Sequence, residues 1–215
     1  MPKAGDVMEK TKLADYIFRR ISQAGIDTTF GIPGDFVLPL YAAQERIGMK
    51  TVVMTHEPSV GFAADAYARL RGLGVALVTY GAGGLNMINP IGLAYAEESP
   101  VMVISGSPET RYRSQKPLLH HCVKTFDTQY NVFAEVTESQ ALLSNPATAQ
   151  EEIDRVFDTT LRHSRPGYLE LPRDMVNCEI PVGERVPASM ESTTPGLEEA
   201  LADIVERLKA ATKPI

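Results

Sequence analysis

The sequence predicts an α/β fold, a doubly wound, mostly parallel sheet with helices on both faces. Short, continuous apolar runs recur at 51–54, 75–79 and 101–105, the pattern of strands buried on both sides. Stretches with helical apolar spacing separate them, so strand and helix alternate over short connections. The residues that break both patterns gather after the predicted strands. In open α/β sheets, ligands bind beyond these carboxyl ends.

Each element follows from its own residues. Leu13, Ile17 and Ile21 share one helical face with Ala14 and Phe18. Thr11 is placed to cap this helix and Gly25 to stop it. Residues 28–31 are β-rich; Ile32, Pro33, Gly34 and Asp35 then make a turn. A second helix is expected from Phe36 to about Arg46, with Asp35 as its N-cap. The run 51–54 reads as a buried strand. It leads through His56, Glu57 and Pro58 into an alanine-rich helix over 60–70, ending near Gly72. The strand at 75–79 enters a glycine-rich turn, Gly81, Ala82, Gly83 and Gly84, followed by a helix containing Ile91, Leu93, Ala94 and Ala96. The strand at 101–105 comes next.

From 109 to 125 the pattern dissolves into a polar loop holding Arg111, Arg113, Lys116, His120 and His121. Loops this long tend to be functional or mobile. Asn145 and Pro146 lead into a helix carrying Ile153, Val156, Phe157 and Leu161, and residues 168–171 read as a last strand stopped by Pro172. The expected organisation is a main domain over 1–180, a Pro/Ser/Thr-rich linker over 181–196, and, over 197–215, an amphipathic helix with the start of another strand at Ile215. That last feature is expected of the front part of a longer polypeptide.

The composition is that of a globular protein, with 215 residues and 44% hydrophobic, enough for a core. The net charge of −6, with only short basic clusters, argues against a nucleic-acid surface. Cys122 and Cys178 lack metal-ligand spacing and read as reduced thiols. No signal peptide or membrane-length apolar run is evident, so a cytoplasmic location is expected.

Taken singly, the polar residues at the sheet edge read modestly. Glu57 is a first-turn carboxylate favoured by the helix dipole, Asp35 is a cap, and His120 and His121 are loop residues. Glycines 81 and 83 permit close backbone approach. A dinucleotide turn is disfavoured because Asn86 stands where the third glycine belongs, and the loop follows the third strand rather than the first.

Taken together they say more. Phe30-Gly31-Ile32-Pro33-Gly34, the segment from Thr55 to Arg69, residues 93–106 and Arg165-Pro166-Gly167-Tyr168-Leu169-Glu170-Leu171-Pro172 occur in order over nearly the whole chain. This combination resembles the N-terminal pyrimidine-binding domain of thiamine-diphosphate-dependent 2-oxo-acid decarboxylases, the group of pyruvate, indolepyruvate and phenylpyruvate decarboxylases. Gly34-Asp35-Phe36 and Leu119-His120-His121 match the simple decarboxylases. Acetolactate-synthase-like carboligases, the alternative, typically lack the histidine pair.

The resemblance implies that Glu57 hydrogen-bonds the N1′ nitrogen of the cofactor's aminopyrimidine and promotes loss of the thiazolium C2 proton. It implies that Asp35, His120 and His121 share protons after CO2 loss, a task suited to groups titrating near neutrality. Pro33, Gly34, Thr79, Gly81, Ala82 and Gly83 would line the cofactor beside Glu57. The run 122–129 looks more like the phenylpyruvate and indolepyruvate enzymes. The family holds the diphosphate and Mg2+ with Gly-Asp-Gly and Asn-Asn motifs that this sequence lacks. The segment is therefore expected to bind no metal and to be inactive alone. Its site would be completed by a diphosphate domain of another subunit in a homodimer or homotetramer. A split-subunit role, with that domain on a separate chain, is the remaining alternative.

Overall fold

The computed structural model describes residues 9–184 and 196–212. The chain divides into two compact units, Met1–Arg185 and Val186–Ile215. In the first, the elements in chain order are β1 (Glu9–Lys12), α1 (Leu13–Gln23), β2 (Thr28–Gly31), α2 (Leu38–Ile47), β3 (Lys50–Val53), α3 (Glu57–Arg71), β4 (Gly74–Val78), α4 (Ala82–Leu85) and α5 (Ile88–Ala96). They continue as β5 (Val101–Ser107), α6 (Tyr112–Gln115), α7 (Thr128–Phe133), β6 (Ser139–Leu142), α8 (Ala149–His163), β7 (Gly167–Pro172) and β8 (Glu179–Val182).

Six strands form one sheet in the order β3-β2-β4-β5-β7-β6, and every neighbouring pair is parallel. β4, β5 and β7 are buried along their whole length, as their unbroken apolar runs predict. One core, including Ile17, Leu40, Ile104 and Phe157, lies under α1, α2 and α8. A second, including Val60, Ile91, Val103 and Phe133, lies under α3 and α5. Two cores on opposite faces make the sheet doubly wound, as expected. β2 pairs with β3 on one side and β4 on the other. The connections leaving β2 and β4 therefore diverge and open a crevice at the carboxyl edge.

Several local expectations are corrected. Thr11 caps nothing; it lies in β1, which pairs antiparallel with β8, and α1 starts after Lys12 without a side-chain cap. α2 begins at Leu38 rather than Phe36, and Asp35 is not its N-cap. β3 is an edge strand rather than a buried one, with Val52 41% and Val53 60% exposed. The glycine-rich turn closes into one helical turn, α4. β7 is not the last strand, because Pro181 and Val182, expected in a linker, belong to β8. β6 and α7 were not foreseen.

In the second unit, α9 (Leu197–Ala210) matches the expected helix. Acidic residues occupy its first turn and basic ones its last, complementing the dipole. The strand expected at Ile215 and most of the linker lie outside the described residues. Among the described residues no helix is long and apolar enough to cross a membrane.

Candidate active site

Glu57 is the first residue of α3, reached from β3 through an extended His56, with Pro58 next to it. Proline fits a first turn because its missing N–H has no partner to lose there. The half-buried carboxylate sits in the positive end of the helix dipole. Asn86 Nδ2 donates to its Oε2 at 3.2 Å. Its Oε1 faces the backbone of Gly83, where an added Cβ would lie 3.3 Å away and only 2.9 Å from Thr79 Cγ2. A side chain at Gly83 would press on Thr79 and on the Glu57 carboxylate, so the bare backbone floor there leaves both in place.

Asp35 follows β2 at the same edge. The Phe36 N–H donates to its Oδ1 at 3.0 Å and Thr79 Oγ1 donates to the same atom at 3.4 Å. His120 Nε2 lies 2.5 Å from Asp35 Oδ2; the carboxylate can only accept, so Nε2 carries the proton. Partial burial works against the Asp35 charge. The His120 hydrogen bond and charge and the Phe36 N–H outweigh it, holding the carboxyl below its ordinary value. The His120 and His121 rings meet edge to face at 4.8 Å, and Phe36 stacks on His120 at 5.3 Å. Ligand-type atoms of Asp35, His120 and His121 all lie within 4.8 Å of one another.

Two further glycines allow this closeness. A Cβ on Gly34 would sit 2.7 Å from Thr79 Cβ, and one on Gly81 only 1.9 Å from the carbonyl oxygen of His121. Gly81 also has φ +78°, a conformation that costs other residues. The structure therefore brings together Asp35, His120, His121, Gly34, Thr79, Gly81, Gly83 and Glu57 in one continuous set. Pro33 and Ala82 lie exposed beside it. The arrangement combines close-packed glycine backbone with one carboxylate, Glu57, and a hydrogen-bonded carboxylate–imidazole cluster, Asp35, His120 and His121.

Sequence reasoning missed the polar layer beneath this set. Gln129 on α7 is buried; its Oε1 accepts from the Gly81 N–H at 2.7 Å, and its Nε2 donates to Ser105 Oγ at 2.9 Å and Tyr168 Oη at 2.7 Å. Tyr168 donates to Glu170 Oε2 at 2.8 Å, and Arg113 donates to Glu170 Oε1 at 2.5 Å and to Asp127. Glu170 is fully buried. Burial pushes its carboxyl above the ordinary range, and Arg113 opposes that. One acid inside an otherwise apolar strand, Tyr168 to Leu171, was the available signal. Asn86, read only as a missing glycine, was the other omission.

A family model described as thiamine pyrophosphate enzyme, N-terminal TPP binding domain, matches residues 11–130. Indole-3-pyruvate decarboxylase of Azospirillum brasilense is 47% identical over 209 residues, covering 95% of this chain and 38% of that protein. Pyruvate decarboxylase of Aspergillus parasiticus is 37% identical over 215 residues, covering 96% and 37%. Pyruvate decarboxylase 2 of Oryza sativa subsp. japonica is 36% identical, covering 96% and 35%. The chain spans well under half the length of these relatives.

Proposed function

Because the chain belongs to the thiamine pyrophosphate enzymes, as their N-terminal TPP-binding domain, we propose that it forms the aminopyrimidine side of the active site of a 2-oxo-acid decarboxylase. The observation that carries this reading is the juxtaposition of two proton-handling groups through Gly83 and Thr79. Glu57 borders Gly83, Gly83 packs on Thr79, and Thr79 bonds Asp35 of the Asp35–His120–His121 cluster.

When bound, thiamine diphosphate supplies the carbon nucleophile and the electron sink for CO2 loss. The protein supplies position and protons. Glu57, with Oε2 held by Asn86 and Oε1 beside Gly83, would share a proton with the aminopyrimidine. Asp35 accepts the His120 Nε2 proton and so fixes that ring's tautomer and direction. The paired imidazoles are suited to deliver a proton to carbon after CO2 loss and to take one back as the aldehyde leaves. This cluster favours plain decarboxylation over the carboligase alternative.

The diphosphate and Mg2+ belong, on this reading, to a domain outside the chain. The working site is completed at a subunit contact in a homo-oligomer, and the chain alone is inactive. The substrate is an aromatic 2-oxo acid, phenylpyruvate or indolepyruvate. The run 122–129 and the similarity to an indole-3-pyruvate decarboxylase support it. Turnover of pyruvate, phenylpyruvate and indolepyruvate by the full-length protein tests this. Preference for an aromatic acid is expected. Strong preference for pyruvate overturns the substrate, and turnover of none overturns the reaction.

A further inference from the structure

The buried polar layer joins the two segments that meet at the site. One end is the Gly81 N–H, in the loop that carries Thr79 and the glycine floor. The other is Arg113, in the segment that leads to His120 and His121. Between them the bonds converge on Glu170 from both ends. The Gly81 N–H donates to Gln129, Gln129 to Tyr168, and Tyr168 to Glu170, which also accepts from Arg113. The direction is forced, because a backbone N–H and a guanidinium can only donate. The run from one end must therefore meet the run from the other at an acceptor, and an ionised Glu170 takes that part.

The layer has little freedom to rearrange. Gln129, Tyr168 and Glu170 are each at most 1% exposed. Tyr168 stacks on Phe133 with centroids 4.0 Å apart. Its phenol is held in the neutral, donating form by burial and by the Glu170 charge. A Cβ on Gly84 would lie 2.3 Å from Gln129 Oε1, so the amide is wedged against the floor as well as bonded to it. A second buried bond, Tyr80 Oη to the Phe126 carbonyl at 2.9 Å, ties the same two segments farther along.

We infer that Gln129, Tyr168 and Glu170 are positioning residues, a rigid internal link that keeps the histidine segment in register with the glycine floor. The inference rests on the functional reading above, because it gives these contacts a purpose in the reaction. None of the three touches the reacting groups in this arrangement. They act through Gly81 and Arg113.

Tyr168→Phe in the full-length protein tests the link. It removes one hydroxyl, leaves Gln129 with Ser105 and Glu170 with Arg113, and keeps the ring stack. Amide hydrogen exchange, measured without cofactor, should quicken about tenfold in both 79–86 and 112–122, the size expected for one buried hydrogen bond. α1 on the opposite face should be unchanged. kcat should fall about tenfold with KM nearly constant, since misplacement acts on the reacting geometry. As a second variant, Glu170→Gln weakens the acceptor at which the Tyr168 and Arg113 bonds meet, and touches neither Gln129 nor Gly81 directly. Loss of protection in 79–86 is expected there too, and if that variant does not fold, Tyr168→Phe decides. Exchange that quickens at one segment alone, or at neither, overturns the link. Coupled exchange in a protein that turns over no 2-oxo acid would leave the link standing and remove the functional reading instead.

Discussion

Gly81→Ala should cost both stability and activity. The new Cβ would lie 1.9 Å from the His121 carbonyl oxygen. A relaxed carbon–oxygen approach is about 3.3 Å, so the two backbones must part by about 1.4 Å. His121 already holds a left-handed φ of 65°, and the movement would carry its ring, and through it His120, away from Asp35. Displacement by about 1 Å costs on the order of 100-fold in rate. Stability should fall by about 1–2 kcal/mol for the left-handed alanine, plus about 1–3 kcal/mol for overpacking. Gly72→Ala is the control. Its φ of 85° is equally left-handed, but a Cβ there meets nothing within 4 Å, so it should lose only the first share and keep full activity. Urea unfolding and aldehyde formation, measured on both variants, check the comparison. Equal losses in the two would refute the contact between Gly81 and the histidine segment.

Glu57→Gln should slow hydrogen–deuterium exchange at C2 of the bound cofactor by orders of magnitude while leaving the fold intact; near-normal exchange contradicts the role given to Glu57. Stability should also respond to Glu170. Burial, partly offset by Arg113, raises its folded pKa above the unfolded value. The folded state therefore holds the proton more tightly, and the associated stability is full below the ordinary carboxylate range and is lost as pH rises through the raised value. Urea unfolding across that window should show a falling slope in wild type that Glu170→Gln lacks; matching slopes would contradict the assignment.

The parts of the fold that were legible in the sequence are those decided locally. β4 and β5 announce themselves as apolar runs because both faces are covered. β6, Ser-Gln-Ala-Leu, buries only alternate residues at the sheet's far edge, and its polar side chains hid it. Consecutive glycines at 83 and 84 read as a turn, although α4 needs them small rather than flexible. The candidate site was legible where type and order matched a known pattern, at Glu57, Asp35 and the histidine pair, which the structure gathers at one sheet edge. It was not legible where burial is set by distant partners. Asp35 looked like a cap because its true partner, His120, is 85 residues away. Gln129 and Glu170 are ordinary polar residues until the sheet encloses them.

The open flank of β3 has a consequence for how the protein must be handled. An edge strand showing Val52 and Val53 to solvent is a template on which foreign strands can grow, and Lys50 is the one charge within it. The chain passes from Val53 to Glu57 in four steps. A strand added there would crowd the entry to α3 and disturb Glu57 while both cores stayed intact. Self-association in storage would therefore silence the site before any unfolding signal changed, and light scattering would report the loss earlier than circular dichroism.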